Sequence, residues 1–459
     1  MTCDVAIVGC GPVGALIANL LGRRGLSVQM IEKQPKPYPL PRAIHFDGEA
    51  MRAFQAAGLA EAVLPHTHVG KGMLFQDSSG RTLIDWSRDQ VPGPMGWYES
   101  YRFHQPGLEA ALITGLERFE YVSLRRGVSV DKATQTGAEV TLTLSDGSDL
   151  TAAYVVACDG AQSTLRQGLD MGWTDLGFQE RWLVVDAQLI RPRPDLGDHS
   201  IQHCHAEHPA TYVRGTGGRR RWEIRLSDSD PDSPTDAQVW QKLARWITPA
   251  DAQLDRAAVY VFRSGVATQW QKGRVLLAGD AAHQMPPFMG QGMCAGVRDA
   301  ANLCWKLARA VQQGSPELLD SYQSEREANV REFIDRSMAL GRLINQTDPD
   351  KLPQGQMKSI WPDLGPGLGP RDGISGTLAP QGLGADGQMA DDLAFPGFHL
   401  LCSDPISPVF TETSLPCVMD STGWLADRSL AAALIRPDGY ALAGIAKEDH
   451  LPQALALLP

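Results

Sequence analysis

Three glycines near the start of the chain have the spacing that holds the phosphates of a nucleotide. Gly9, Gly11 and Gly14 form a G-x-G-x-x-G pattern between an apolar run and a stretch with helical spacing. In this pattern the first glycine makes a tight turn, the second lets the backbone approach a pyrophosphate, and the third lets the helix pack on the strand. Glu32 closes the next apolar run, where its carboxylate can accept a hydrogen bond from a ribose hydroxyl. The pattern predicts a dinucleotide site without separating FAD from NAD.

Two later segments favour a flavin as part of that nucleotide. In VACDGAQSTLR, residues 156–166, an apolar strand ends at Asp159 and a glycine. In RVLLAGDAAHQMPPFMGQGMCAG, residues 274–296, a second strand ends at Asp280, and Gly292 opens a helix. The aspartate can hold a ribityl hydroxyl, and the helix start can direct N–H groups at the flavin edge that becomes anionic on reduction. The three segments together predict FAD.

The elements that must carry these residues alternate between strands and helices. The runs 4–9 and 27–32 are apolar enough for buried parallel strands, and 12–24 has helical spacing, which makes a βαβ opening. The stretch after residue 346 is rich in proline and glycine, as is typical of a linker, and a last small unit follows it. The other predicted strands lie at 139–145, 150–157, within 181–228, at 257–264 and at 274–282, and the other predicted helices lie at 49–59, 106–116, 238–247 and 290–345.

Composition and charge exclude several classes of function. The chain has 459 residues and a formal net charge of −11, so it is long enough for more than one domain, and its acidic surface repels nucleic acid. No apolar run approaches the ~20 residues of a membrane span, and the N-terminus lacks the basic start of a signal peptide. The eight cysteines form no CxxC pair, which argues against a metal site and fits a reducing compartment. We therefore expect a cytoplasmic protein with no membrane, nucleic-acid or metal partner.

The three nucleotide and flavin segments, in this order, resemble those of the class A flavoprotein monooxygenases, which are single-component FAD-dependent aromatic hydroxylases. The resemblance is strongest to the 3-(3-hydroxyphenyl)propionate/3-hydroxycinnamate hydroxylase branch. This chain departs from the branch at Arg181, where relatives often carry proline, and in a short tail that has an RPDGY hairpin. The segments that carry the closer resemblance are 40–59, 102–112, 177–186, 219–226 and 286–307.

The resemblance implies a mixed α/β fold with a discontinuous Rossmann-type FAD-binding domain. A β-sheet substrate domain is inserted into it, and an abbreviated thioredoxin-like unit ends the chain. The expected boundaries are 1–70, 100–178 and 270–345 for the FAD-binding domain, 71–99 and 179–269 for the substrate domain, 346–390 for a linker, and 391–459 for the C-terminal unit.

The activity that the resemblance implies is hydroxylation of a phenolic ring with O2 and NADH or NADPH, through a flavin C4a-hydroperoxide. No second glycine-rich βαβ unit is evident, so the nicotinamide nucleotide is expected to meet the flavin only transiently. Two alternatives stay open: a monooxygenase that tailors a polyketide or antibiotic on the same scaffold, and a flavin-binding protein without hydroxylase activity. A homodimer also stays open.

Nine residues are expected to contact FAD by the same resemblance. Arg42 has the alternative of a surface cation, and Gln105 has the alternative of capping a helix N-terminus. The nine are Gly9, Gly11, Gly14, Glu32, Arg42, Gln105, Asp159, Asp280 and Gly292.

The catalytic candidates are His45, Arg42 and Pro286, and His45 is the first candidate for the base that turns a phenol into a phenolate. A hydrogen-bonded histidine at a helix start is an equal interpretation of His45. His283 is expected either beside the flavin or as a hydrogen-bonding loop residue. The candidates for substrate contact are Arg181, Tyr212 and Met289, although exposed strand arginines are common.

Overall fold

The computed structural model of the chain describes residues 2–205, 209–345, 355–384, 386–404 and 407–459. Residues 346–354 and 385 of the predicted linker lie outside this range. The helices are α1 (Pro12–Gly22), α2 (Gly48–Ala56), α3 (Ala60–Val63), α4 (Gln105–Thr114), α5 (Thr164–Gly168), α6 (Asp236–Leu243), α7 (Gly292–Gln312), α8 (Asp320–Ile344), α9 (Ala390–Ala394), α10 (Pro408–Thr411) and α11 (Leu451–Leu455).

The strands of the described residues form four sheets. Their bounds are β1 (Thr2–Val8), β2 (Val28–Glu32), β3 (His45–Phe46), β4 (Thr67–Val69), β5 (Gly72–Gln76), β6 (Thr82–Ser87), β7 (Tyr101–Phe103), β8 (Val122–Arg126), β9 (Val130–Gln135), β10 (Val140–Leu144), β11 (Asp149–Ala157), β12 (Thr174–Leu189), β13 (Ser200–His203), β14 (Ala210–Arg214), β15 (Arg219–Arg225), β16 (Ala252–Val266), β17 (Gln271–Lys272), β18 (Val275–Leu277), β19 (His283–Gln284), β20 (Gly355–Gln356), β21 (His399–Cys402), β22 (Cys417–Met419), β23 (Ala432–Ile435) and β24 (Ala441–Ile445).

The first sheet has the strand order β17-β18-β11-β1-β2-β8, and its pairings from β18 to β8 are all parallel. Val5, Ala6 and Ile7 on β1 are fully buried because helices cover the sheet, which is why the run is apolar on both faces. β10 pairs antiparallel with β11 as predicted for 139–157. The carboxyl ends of β1, β2, β11 and β18 meet at one edge, where a parallel α/β sheet binds its ligand.

The second sheet, in the order β19-β16-β12-β15-β14-β13-β5-β6-β20, covers that edge. One face packs on α6 through a separate apolar cluster that includes Trp222 and Leu243. The other face looks toward the nucleotide edge of the first sheet, so the cavity of the molecule lies between the two sheets. A third, three-stranded sheet, β3-β7-β4, lies beside this cavity.

The C-terminal unit is a mixed sheet in the order β22-β21-β23-β24, in which β21 and β22 are parallel and the other pairs antiparallel. It docks on α7, where Phe398 packs edge-on against Trp305 with ring centroids 5.6 Å apart. The architecture confirms the expected α/β class with its Rossmann-type domain and inserted sheet. No helix in the described part of the chain is long and apolar enough to cross a bilayer.

Candidate active site

The glycine turn after β1 is shaped by close backbone approaches. Gly9 has φ +103°, and a Cβ there would lie 2.3 Å from the Cys158 carbonyl oxygen at the end of β11. A Cβ on Gly14 would lie 2.2 Å from the Gly9 oxygen, so only glycine fits at both positions. A Cβ on Gly11, by contrast, meets no atom of the described chain within 4 Å, and Gly11 lines the cavity. The turn therefore leaves room for a phosphate at the N-terminus of α1.

Two acidic residues stand on this edge at the ends of β2 and β11, the two strands that flank β1. Glu32 accepts hydrogen bonds from the backbone N–H groups of Cys10 and Gln34, both at 2.8 Å, and so braces the glycine turn. Asp159 accepts from the N–H of Thr164 at 2.8 Å through Oδ2. Its other oxygen, Oδ1, is buried without a partner in the described protein. An unsatisfied buried oxygen beside the turn is suited to a ligand hydroxyl.

The turn after β18 is held by a buried carboxylate on α7. Asp299 is fully buried and accepts from the Gly279 N–H at 3.0 Å, from His283 Nε2 at 2.7 Å and from Arg326 Nε at 2.9 Å. Burial raises the pKa of Asp299, but the facing charges of His283 and Arg326 outweigh it and lower the pKa. The network directs Asp280 into the cavity. His283 lies outside the cavity lining as a hydrogen-bonding residue, which is the second of the two interpretations given for it.

A loop ahead of α7 closes the other side of the cavity. The Gly290 carbonyl lies 3.2 Å from His45 Nδ1, so that nitrogen carries the proton and donates it. Gln291 accepts from Arg298 Nη1 at 2.9 Å and donates to Asp47 at 3.1 Å. Arg298 also pairs with Asp47 at 2.6 Å. The loop is therefore fixed from behind by a buried charge cluster.

That cluster continues into the C-terminal unit. The Tyr440 hydroxyl donates to Glu49 at 2.6 Å, and Glu49 is also held by Arg298. Next to it, Arg436 binds both oxygens of Glu325 at 2.9 and 2.8 Å, and Lys306 donates to the same carboxylate at 2.7 Å. The RPDGY hairpin is thus a contact element seated on α7 and α8.

The segment before β3 is tied down by Gln105, the first residue of α4. Its Oε1 accepts from the N–H groups of Arg42 and Ala43, both at 2.7 Å, and its Nε2 donates to Glu109 at 2.6 Å. Gln105 therefore positions the Arg42 backbone, and it also lines the cavity. The Arg42 guanidinium is exposed in the cavity and forms no ion pair with the residues described here. A free cation facing Gly11 and Asp280 fits the anionic phosphates of FAD.

His45 lies in the cavity wall on β3. Burial, with the charge of Arg102 on the neighbouring strand, lowers the pKa of His45 to about 3. The imidazole is therefore neutral at physiological pH and is a weak base. The hydrogen bond from His45 Nδ1 to the Gly290 carbonyl fits the interpretation of His45 as a hydrogen-bonded residue near a helix start. In this tautomer Nε2 carries the lone pair.

The remaining predicted residues divide between the cavity and the structure around it. Met289 lines the cavity, whereas Pro286 is buried and lies outside the lining, and its neighbour Pro287 lines the cavity instead. Tyr212 lies on the opposite face of β14 and packs on Trp222, with ring centroids 5.4 Å apart. The cavity has a volume of about 390 Å³. Its lining also includes side chains that the sequence analysis did not single out, namely Met73, Trp86, Arg88, Glu99, Arg102, Thr211, Val213, Phe262, Phe288, Phe333 and Trp361.

Arg181 does not line the cavity. Its guanidinium donates to the Ser227 and Asp230 carbonyls, both at 2.9 Å, and pairs with Asp232 at 2.6 Å. The expectation that it meets a substrate carboxylate has no support in this placement, because its donors are taken up by a surface turn. Arg102 does line the cavity, as Arg42, Arg88 and Arg221 also do, and its sequence signal is a charge inside an apolar strand, YRF.

Two further groups of site residues were missed. Asp299 carries a weak signal, since an Arg-Asp pair interrupts an otherwise apolar helix face. The stretch 359–361, which includes Trp361, was placed in the linker, yet it lines the cavity. No sequence pattern singled it out because it belongs to no helix or strand.

A glycine turn at the carboxyl edge of a parallel sheet, opening into a cavity under a second sheet, fits a flavoprotein of the monooxygenase class. The comparisons agree with this class. Residues 2–337 match a family model described as an FAD binding domain. The chain is 37% identical to a "Probable NADH-specific resorcinol 4-hydroxylase" from Rhodococcus jostii, over 99% of this chain and 96% of that protein.

A second curated relative is a 3-(3-hydroxy-phenyl)propionate/3-hydroxycinnamic acid hydroxylase from Mycolicibacterium smegmatis, 36% identical over 79% of this chain. The match spans 65% of that longer protein. Among solved structures, the flavin-dependent monooxygenase PieE with FAD and substrate has a TM-score of 0.83 at 19% identity, covering 100% of this chain and 98% of that one, which shows a shared fold. The chain belongs to the FAD binding domain family, and it is an FAD-dependent aromatic hydroxylase.

Proposed function

We propose that this enzyme hydroxylates a small phenol of the resorcinol type with NADH as its reductant. The overall reaction is Ar–H + O2 + NADH + H⁺ → Ar–OH + H2O + NAD⁺. The observation that carries the proposal is one continuous cavity, which runs from the glycine turn at Gly11 to an aromatic wall at Trp86 and Trp361. The near full-length relationship to a probable NADH-specific resorcinol hydroxylase supports the choice of substrate and reductant.

In this proposal each part of the cavity has a separate role. Gly11 and Arg42 hold the pyrophosphate, Asp280 holds the ribityl chain, and the N–H of Gly292 meets the flavin ring at the start of α7. Bound FAD supplies the redox and oxygen chemistry. The protein excludes water from the ring of the substrate through apolar walls such as Phe288, which is 6% exposed.

The test measures product and peroxide separately in the FAD-loaded enzyme. Resorcinol and 3-(3-hydroxyphenyl)propionate are each offered with NADH and with NADPH, and NADH oxidation, O2 uptake, hydrogen peroxide and the hydroxylated product are followed. We expect resorcinol with NADH to give stoichiometric trihydroxybenzene, and Arg181→Gln, outside the cavity, to behave as wild type.

Two results would contradict the proposal. If NADH oxidation yields only hydrogen peroxide with both phenols, neither is hydroxylated, and the proposed reaction is wrong. Efficient turnover of 3-(3-hydroxyphenyl)propionate but not of resorcinol would show that the substrate is a phenol with an acid side chain and not one of the resorcinol type.

A further inference from the structure

Arg102 is a buried cation without a counter-ion. It is 6% exposed, it lies on β7, and it lines the cavity. The hydrogen bond of its guanidinium within the described protein runs from Nη2 to Ser200 Oγ at 3.1 Å. No carboxylate pairs with it among the residues that the structure describes. The remaining N–H donors therefore face the cavity.

Among the described buried arginines, Arg166 and Arg220, each 8% exposed, also have no carboxylate partner, but their guanidinium groups donate to backbone carbonyls. Every described arginine that is more buried than Arg102 pairs with a carboxylate within 2.9 Å. An unpaired buried charge costs several kcal/mol in folding free energy, so a protein keeps one where a ligand supplies the opposite charge. The arginines that have partners are Arg52, Arg221, Arg298, Arg326 and Arg436.

The neighbours of Arg102 leave this end of the cavity positive. His45 faces it from β3 and His68 faces it from β4, and burial lowers the pKa of both, which favours the neutral imidazole, so neither histidine compensates the charge of Arg102. Arg88 follows β6 and forms an ion pair with Glu99 at 3.7 Å, so the charge of Arg102 is the uncompensated one of these three side chains. Burial and the charge of Arg88 together lower the pKa of Arg102 to about 10, which still leaves it protonated at neutral pH.

We propose that Arg102 binds the ionised hydroxyl oxygen of the phenolic substrate and thereby activates the ring. The phenol O–H bond breaks, the electron pair stays on the oxygen, and the proton passes to bulk water. The oxygen of the phenolate donates electron density into the ring, which makes the ring carbon more nucleophilic toward an electrophilic oxygen. This inference rests on the proposed function, because it takes a phenol as the substrate.

With a phenolate bound at Arg102, His45 is not needed as the base that removes the phenol proton. A base with a lowered pKa cannot keep the phenol proton at neutral pH, whereas a fixed positive charge favours the phenolate without accepting a proton. An opposite charge at hydrogen-bond distance lowers the pKa of an acid by about 1–3. The positive charge of Arg102 lowers the pKa of His45 and is expected to lower the pKa of the bound phenol as well. It therefore favours the neutral imidazole and the phenolate.

The experiment uses 4-nitrophenol as a probe, because its phenolate absorbs visible light. FAD-loaded enzyme is titrated with pH in the absence of NADH, and the pKa of the bound probe is read from difference spectra. We expect this pKa to fall by about 1–3 in the wild type. Arg102→Gln should return it to the value in water, Arg102→Lys should keep part of the decrease, and Arg181→Gln should match the wild type.

The outcomes separate the proposal from its alternatives. A bound probe with its solution pKa in the wild type, or no binding of the probe, overturns the proposal. 3-Phenylpropionate, which has a carboxylate but no phenol group, serves as a second ligand. If Arg102→Gln weakens its binding tenfold and leaves the pKa of the bound 4-nitrophenol unchanged, Arg102 binds a carboxylate, and the proposal is wrong. Retained FAD absorbance and an unchanged melting temperature verify folding of each variant.

Failure of this inference is distinguishable from failure of the proposed function. A wild type that hydroxylates resorcinol but binds the probe as neutral phenol loses the inference alone. A wild type that binds the probe as phenolate but forms no hydroxylated product loses the proposed function alone.

Discussion

Replacing Asp299 by asparagine should weaken the fold and the flavin site together. The carboxylate is fully buried and receives three donors: the Gly279 N–H, His283 Nε2 and Arg326 Nε. Asparagine keeps one oxygen and turns an amide N–H2 toward at least one of these donors. Arg326, also fully buried, loses its counter-charge. Breaking a buried pair in this way costs about 3–5 kcal/mol, which is a large part of a typical unfolding free energy.

The assay is urea unfolding of the FAD-free protein at pH 7, with FAD affinity measured separately. Asp335→Asn is the matched control because Asp335 is exposed on the same helix as Arg326, and we expect it to change the unfolding free energy by less than about 0.5 kcal/mol. The folded-state pKa of Asp299 is lowered, so its contribution is present above the unfolded pKa and is lost as the pH falls. The cost of Asp299→Asn should therefore shrink in acid. A cost below about 1 kcal/mol at pH 7 would refute the reasoning.

Four further outcomes are expected. Asp280→Ala should weaken FAD binding about 10–150-fold, the equivalent of a charge-assisted hydrogen bond, and unchanged affinity in a fluorescence titration would make it a turn residue only. Gly14→Ala sets a methyl group against the Gly9 oxygen and should lower both the melting temperature and the FAD content, whereas Gly11→Ala should lower the FAD content alone. Burial lowers the pKa of His399 to about 4, so the unfolded state takes up a proton at this residue before the folded state does. Acidification from pH 7 to pH 5 should therefore lower the unfolding free energy of the wild type by about 2 kcal/mol, and His399→Phe should not show this loss. Stopped-flow flavin reduction by NADH should be slow alone and faster with a phenol, and equal rates with full product formation would exclude gating by substrate.

Local sequence predicted the nucleotide edge because its causes are local. The helix expected over 12–24 is Pro12–Gly22, and the strand expected over 4–9 is Thr2–Val8. A steric turn, an apolar run and a helix start all lie within about 30 residues, so the pattern needs no distant partner. The stretch 290–345 was harder, since it divides into α7 and α8 at Gly314, which has φ +69°.

The substrate side of the cavity depends on partners far apart in the chain. Arg102 lies between two aromatic residues of a strand, and Arg181 comes just before an apolar run. Neither segment shows which arginine will bind carbonyls and a carboxylate on a surface turn and which will have no carboxylate partner. The partner of Arg102 is Ser200, 98 residues away. Similarly, alternation along β14 predicts that Thr211 and Tyr212 face opposite sides, but only the packing of the two sheets decides which side is the cavity.

The anchoring of the C-terminal unit limits how this architecture can be recombined. Taking away the hairpin that carries Arg436 and Tyr440 would leave Glu325 with Lys306 as the one remaining cation among its described partners, and Glu49 would lose its hydrogen bond from the tyrosine. A tail grafted from a longer relative would meet the same carboxylates. Exchange of such tails between homologues therefore succeeds only when the matching surface of α7 and α8 is inherited with them, so that the unit evolves as part of the enzyme and not as a detachable module.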